Sequence, residues 1–287
     1  MKVGIIGTGM LGSAVGMRLI AKGAKLTVYN RTTSKTRNLS DAGAIIADNP
    51  ASAASGCDIV ITCVTDASAL DEICFGSNGI AEITDNCPIV CDMSTISPDE
   101  SKTITEKLAS SSIVMLGTPV MGGPDAAAAG ELVMMASGSE HALSKCRQIL
   151  SIIACEIFYI GSAGNAYAIK LAMNLQIAML ALSISEGIMF VDKTCGNPKK
   201  FLKVLNSTYF GTGMSKKKAY GMIDGKVNPT FLLRNLKKDL DALSNTANKI
   251  GLDLPMGTSA HKIYKNATKN GYGNFDYTSI IEYLKKQ

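Results

Sequence analysis

The sequence predicts an α/β chain: a βαβ sheet covered by helices on both faces, followed by an all-helical second half. Three observations predict it. Short apolar runs alternate with helix-forming segments through the first half, helical texture takes over from about residue 163 and stays, and no internal repeat or low-complexity tract interrupts either part.

The runs VGIIG, LTVYN, AIIA, CDIVITCV, PIVCDM, SIVML, LVMMASG and IFYIG read as strands. They are nearly continuous in apolar residues, as strands buried on both faces must be. Between them, SAVGMRLIAKG and SPDESKTITEKLAS can form helices. Asn30 or Thr33 can start the helix after the second strand, and Pro98 suits the first turn of a helix over 98–109. Further on, AYAIKLAMNLQIAMLALSISEGIMFVDKT carries Ile169, Met173, Ile177 and Leu180, then Ile184, Ile188 and Val191, at helical spacing. So long an apolar helix is not solvent-bound on most faces. We read it as a central interdomain helix packed on a helical C-terminal unit and on a partner chain. Further helices are expected over 198–206, 212–223, 230–250, 255–269 and 276–285, which gives domains 1–162 and 163–287.

Composition narrows the function. Hydrophobic content of 46% with 18% charged residues belongs to an ordinary globular chain of 287 residues. The N-terminal apolar run is broken by Gly7 and Gly9 and reads as a buried strand, not a secretory leader. The longest weakly polar stretch, about 178–191, is interrupted by Ser183, Ser185, Glu186 and Gly187, so no membrane span is expected. Eight cysteines without a CxxC pair read as free thiols of a reducing cytosol. With His141 and His261 in no ligand-spaced cluster, a metal is not expected. The net charge of +5 gathers in lysine clusters such as Lys216, Lys217 and Lys218, which read as a solvated helical surface and not as a nucleic-acid footprint.

Directly after VGIIG, the turn GTGMLG sets Gly7, Gly9 and Gly12 in the spacing of a dinucleotide-binding turn. The first glycine permits the tight turn, the second lets a pyrophosphate reach backbone N–H groups, and the third lets helix and strand pack closely. Met10 and Leu11 then open a helix whose unpaired N–H groups face the negative charge. About 20 residues beyond, where an NAD site usually offers an acid to the ribose, the chain reads Asn30, Arg31, Thr32, Thr33. No carboxylate repels a 2′-phosphate there and Arg31 can bind it, so NADP is the expected cofactor, with NAD possible.

Hydride transfer to a carbonyl also needs a proton donor. Neither histidine is placed for this; Lys170 is the better candidate. It precedes Asn174 by one helical turn and stands among Ala168, Ile169, Leu171 and Ala172, where partial burial favours an amine that can exchange its proton. A lysine that merely snorkels beside a polar neighbour is the alternative that chemistry alone leaves open.

Six ordered stretches, VGIIGTGMLGSAVGMRLIAKG, VYNRT, DMSTISPD, GTPVMGGPDAAAAGELVMMASG, GSAGNAYAIKLAMN and LKKDLDAL, resemble the β-hydroxyacid dehydrogenase family over essentially the whole chain. The resemblance implies a Rossmann-type domain, a long interdomain helix, an all-helical C-terminal domain, and homodimers or dimer-based homotetramers; the free cysteines imply a cytoplasmic location. It implies that Lys170 is the general acid and base and that Asn174 orients the substrate. It places Ser94 and Thr95 beside nicotinamide and substrate, Val64, Thr65 and Asp66 along the cofactor ribose, and Lys238 and Asp239 near the cleft where the second domain meets the cofactor.

One departure bears on the substrate. Hydroxyisobutyrate-like members commonly read PVSGG where this chain has Pro119, Val120, Met121, Gly122 and Gly123. Met121 cannot donate the serine's hydrogen bond to a carboxylate, although the amides of Gly122 and Gly123 can. The expected activity is therefore hydride transfer between NADP(H) and a small β-hydroxyacid or its semialdehyde or 2-oxo acid counterpart. The rivals are an imine or other apolar carbonyl reductase on the same fold, and a non-catalytic NADP(H)-binding sensor or scaffold.

Overall fold

The structure is a computed structural model that describes residues 2–287. It forms two compact units, one up to Lys170 and the other Leu171–Gln287.

In the first unit, β1 (Lys2–Ile6), β2 (Lys25–Tyr29), β3 (Ile45–Ile46), β4 (Ile59–Thr62), β5 (Ile89–Asp92) and β6 (Met115–Gly117) pair in parallel in the order β3-β2-β1-β4-β5-β6. The helices α1 (Met10–Ala21), α2 (Arg37–Asp41), α3 (Pro50–Ala54), α4 (Ala67–Phe75) and α5 (Pro98–Ser110) alternate with them. Chain order reverses between β1 and β4, and a crevice at such a switch point lies beyond the carboxyl ends of the strands. Side chains alternate across β1: Val3 and Ile5 join one buried cluster with Val15 and Leu19 of α1, while Ile6 joins another with Leu70 and Leu108. The helix expected after β2 starts as a 3-10 turn at Thr33, and Asn30 does not cap it. α5 begins at Pro98, where Ser97 and Glu100 cap each other's backbone N–H groups.

All eight anticipated strands form, yet the last two leave the main sheet. β7 (Val120–Met121), β8 (Leu132–Ala136) and β9 (Ala154–Tyr159) make a second sheet in that order, antiparallel then parallel, with α6 (Pro124–Ala129) and α7 (Glu140–Ile153) between them. β7 has no apolar run of its own to reveal it: two residues pair because β8 offers an edge.

α8 (Asn165–Cys195) has 31 residues and carries the chain from the first unit into the second. The texture of the sequence changes at 163, whereas packing divides the chain at Lys170, because Tyr167 at the start of α8 is buried in the core of the first unit. Its inward face also differs from the expected stripe. Tyr167, Leu171, Asn174, Ala178, Ala181 and Ser185 are buried, while Ile169 and Met173 are 38% and 39% exposed. Ile184 and Ile188 of the expected stripe are buried, with the small Ala178, Ala181 and Ser185 filling the close contacts beside them. By length and composition α8 could cross a bilayer, contrary to the reading of its most apolar stretch alone. Core helices pass the same test, and Ala178, Ala181, Ile184 and Ile188 belong to the two buried clusters of the second unit.

The rest of that unit is α9 (Pro198–Asn206), α10 (Gly213–Lys217), α11 (Ala219–Asp224), α12 (Leu233–Lys249), α13 (Pro255–Lys269) and α14 (Ile280–Leu284). The helix expected over 212–223 is broken at Lys218, whose ammonium reaches Asp276 at 2.7 Å and Thr230 Oγ1 at 2.6 Å. The last expected helix opens with a 3-10 turn, Tyr277–Ser279.

Candidate active site

The glycine turn joins β1 to α1. Gly7 has φ +98°, in the region that favours glycine, and a Cβ there would collide with the Cys63 carbonyl oxygen. A Cβ on Gly12 would collide with the Gly7 carbonyl, so α1 can approach β1 only without one. At Gly9 a Cβ would meet nothing within 4 Å; this side of the turn is open. Gly9 is also the N-cap of α1 and supplies no side-chain cap, and Met10 beside it is exposed. Bare helix N–H groups over an open glycine make a seat that a pyrophosphate fits. Gly12→Ala is expected to cost about 1–3 kcal/mol of stability through overpacking and to weaken dinucleotide binding, which thermal unfolding with and without NADPH would read.

Two hydrogen bonds brace the end of β2 against this turn. Thr8 N–H donates to Asn30 Oδ1 at 3.0 Å, and Thr8 Oγ1 donates to the Lys35 carbonyl at 3.0 Å. Asn30 Nδ2 donates to the Thr32 carbonyl, also at 3.0 Å. Asn30 thus works as a strap and not as a helix cap. It leaves Arg31 and Thr32 exposed on a segment, 30–36, that contains no carboxylate.

Past β4, the Asp66 carboxylate accepts from Ala69 N–H at 2.9 Å and caps α4, while Thr65 is exposed. Val64 N–H donates to Ser94 Oγ at 3.0 Å, so the loops after β4 and β5 are tied together. Ser94 Oγ in turn donates to Asp92 Oδ1 at 2.7 Å. Its proton is therefore turned inward, and toward a ligand Ser94 can only accept. Thr95, next to it, is half-buried.

Asp92 ends β5 and is fully buried. Oδ1 also accepts from Thr62 Oγ1 at 2.6 Å, and Oδ2 accepts from the Tyr167 hydroxyl at 2.6 Å. Burial pushes its carboxyl above the usual carboxylate range despite these donors. Burial and the adjacent Asp92 likewise push the Tyr167 phenol far up, which keeps it a neutral donor. Burial also pushes the Cys63 thiol up to about 12, so no thiolate stands beneath the glycine turn. Asp92 and Tyr167 were not among the sequence candidates. The signal was an acid closing an otherwise apolar strand, and a tyrosine one turn before Lys170.

Lys170, half-buried on α8, lies within the first unit with its Nζ 3.4 Å from Met121 Sδ of β7. Gly122, at φ +119°, and Gly123, the N-cap of α6, follow Met121 directly. The structure thus joins the lysine to the segment that departs from the family pattern.

In the second unit Asn174 Nδ2 donates to Asp239 Oδ2 at 2.6 Å, and Lys238 Nζ pairs with Asp239 Oδ1 at 2.7 Å. A carboxylate can only accept, so the amide cannot be flipped. The buried Oδ1 of Asn174 has no hydrogen-bond partner among the described residues. Asn174 can therefore offer a ligand its carbonyl oxygen as an acceptor and the second N–H of its amide as a donor. His141 is exposed, and His261 Nε2 is held by Asp241 at 2.6 Å between α12 and α13. Among the described residues no group of three metal-ligating side chains gathers.

Comparison with known proteins places the chain in a family. The family model described as the NAD binding domain of 6-phosphogluconate dehydrogenase matches residues 2–161, and that described as NAD-binding of NADP-dependent 3-hydroxyisobutyrate dehydrogenase matches 164–284. The chain is 30% identical to the uncharacterized oxidoreductase YfjR of Bacillus subtilis over 99% of its own length and all of the relative's. It is 28% identical to glyoxylate/succinic semialdehyde reductase 1 of Arabidopsis thaliana over 99% of both chains. The crystal structure of a 3-hydroxyisobutyrate dehydrogenase from Salmonella typhimurium shares the fold with a TM-score of 0.90, at 24% identity over 99% of both chains. Matched in both halves and end to end with its relatives, the chain belongs to the β-hydroxyacid dehydrogenase family and is an enzyme of the nicotinamide-dependent oxidoreductases.

Proposed function

We propose that this enzyme transfers hydride between NADP(H) and a small β-hydroxyacid or its semialdehyde or 2-oxo acid counterpart, with Lys170 as general acid and base. The observation that carries the reading is the 3.4 Å contact between Lys170 Nζ and Met121 Sδ, which sets a proton donor on the candidate substrate segment.

Gly7, Gly9 and Gly12 with the first amides of α1 would hold the pyrophosphate, and Val64 and Thr65 would line its ribose. When bound, the nicotinamide supplies the hydride. Lys170 gives its proton to the carbonyl oxygen in reduction and takes it back from the hydroxyl in oxidation. The amides of Gly122 and Gly123 bind the substrate carboxylate. Asn174, one turn further along α8, accepts from the hydroxyl that forms through its unpartnered carbonyl oxygen. Ser94 holds the loops around the nicotinamide, and Thr95 contacts the substrate. Lys238 and Asp239 flank Asn174. A homodimer or dimer-based tetramer in the cytoplasm belongs to the same reading.

Arg31 is assigned to the 2′-phosphate of NADP. Arg31→Ala should lower affinity for NADPH by about 10-fold or more, the worth of one charge-assisted hydrogen-bonded pair, and leave NADH nearly unaffected. Equal losses for the two cofactors, read by fluorescence titration, would remove the assignment.

The activity itself is tested by initial-rate NADPH oxidation with glyoxylate, succinic semialdehyde, methylmalonate semialdehyde and a cyclic imine, with NADH in parallel. Turnover of one acid supports the reading. Turnover of the imine alone moves the assignment to an apolar carbonyl or imine substrate, consistent with Met121. Silence across the panel with tight NADPH binding argues for the non-catalytic alternative.

A further inference from the structure

The buried carboxylate of Asp92 serves two elements at once. On one side, Oδ1 takes the hydroxyl protons of Thr62 at 2.6 Å and Ser94 at 2.7 Å, and Ser94 accepts from Val64 N–H at 3.0 Å. This side ties together the ends of β4 and β5 and the loops that follow them. On the other side, Oδ2 takes only the Tyr167 hydroxyl proton among the hydrogen bonds formed by described residues, at 2.6 Å. Tyr167 is in the first turn of α8 and precedes Lys170 by three residues. Its ring fills the space above Gly117, where even a Cβ would come within 2.5 Å of Cε2. The phenol can therefore reach Asp92 only with α8 at one height and one rotation about its axis.

We propose that Asp92 is a positioning residue for the reaction: through Tyr167 it sets the rotation of the first turns of α8 and so the place of the Lys170 amine, while through Ser94 it holds the adjoining loop in register. The inference rests on the role given to Lys170 above. Because a helix is stiff over one turn, a constraint at 167 is felt at 170. The network is built for orientation more than for stability, since a buried carboxylate held by the neutral donors of Thr62, Ser94 and Tyr167 is a costly way to stabilise a core that apolar residues could fill.

Two single-atom-group deletions on the same carboxylate separate positioning from general stability. Tyr167→Phe keeps the ring over Gly117 and removes the tie to α8. Thr62→Val removes one donor from the opposite oxygen and leaves that tie in place. Both are expected to lower Tm. Tyr167→Phe alone is expected to lower kcat, on the order of 10- to 100-fold, the cost of a misplaced catalytic group, and to raise the deuterium isotope effect on kcat with NADPH affinity unchanged. A second readout needs no substrate: the rate at which a lysine-directed acylating reagent modifies Lys170, followed by peptide mass mapping, should change in Tyr167→Phe and not in Thr62→Val. Equal effects of both variants on kcat and on labelling, or no effect of Tyr167→Phe on either, would overturn the proposal. If the natural protein turned over none of the carbonyl compounds while labelling still split the two variants, the proposed reaction would fail and the positioning would stand.

Discussion

Lys170→Met is expected to lower kcat/KM for carbonyl reduction by about 10²- to 10⁴-fold, the range that a positioned acid-base group contributes, with NADPH affinity unchanged. Methionine is chosen because it keeps an unbranched apolar stem beside Met121, whose sulfur lies 3.4 Å from the lysine nitrogen, while its thioether can donate no proton. The packing of α8 is then preserved, and the change isolates the proton. Lys170→Arg supplies the complementary test. A guanidinium keeps the charge but cannot act as a base at any working pH, so oxidation of the hydroxyacid should be lost as fully as in the methionine variant. Stopped-flow and steady-state rates with both variants would check this. A lysine that only snorkels along α8 would leave turnover within the small range of ordinary surface changes. That result would remove Lys170 from the chemistry while leaving the family and fold intact.

The largest effect on stability is expected at Lys218, far from any candidate substrate residue in sequence. Asp276 is 1% exposed and accepts from Lys218 Nζ at 2.7 Å, Thr278 Oγ1 at 2.7 Å and Thr230 N–H at 3.0 Å. Lys218→Met removes the only ammonium recorded on that carboxylate among the described residues, and a buried pair broken on one side costs about 3–5 kcal/mol. Asp276→Asn in the same chain should recover much of the loss, because the stranded charge goes with it. The acid limb carries the sign. Burial raises the Asp276 carboxyl, but the Lys218 ammonium, the Thr230 amide and the Thr278 hydroxyl together outweigh it and hold the group below its ordinary value. Its contribution is therefore complete above the unfolded carboxyl's value of about 3.9 and is lost as pH falls through the lower folded value. Asp92 acts in the opposite sense: burial raises its carboxyl, so it costs stability as pH climbs from the unfolded toward the folded value. Urea unfolding at a series of acidic pH values should show Lys218→Met losing the protective part of this dependence. An unchanged acid limb would mean that Asp276 is satisfied without the lysine.

Much of the architecture was legible because its causes are local. Helix ends at Pro198 and Pro255 follow from proline's fixed φ and missing N–H, which mark a first turn wherever they occur. The buried strands showed themselves as uninterrupted apolar runs. Where such cues were misleading, a partner in space had intervened. Asn30 had the composition of a helix cap, but Thr8 claimed its side chain. The helix expected over 212–223 has no glycine or proline at its break, and it stops where Lys218 turns to Asp276. On α8 the expected apolar stripe holds at Ile184 and Ile188 but not at Ile169 and Met173, where the helix instead buries Tyr167, Leu171 and Asn174.

By itself the sequence determined eight of the nine strands, the glycine turn, the lack of an acid after β2, and a lysine and an asparagine one turn apart on α8. Each of these depends on residue type at short spacing, through backbone sterics, periodicity or charge. Only the tertiary structure decided which polar atoms remain for a ligand: Asp92 takes the Tyr167 proton across 75 residues, Asp239 takes the Asn174 amide across 65, and Asn30 is drawn to the glycine turn across 22. A hydrogen bond's direction depends on where its partner folds, and no local pattern encodes that.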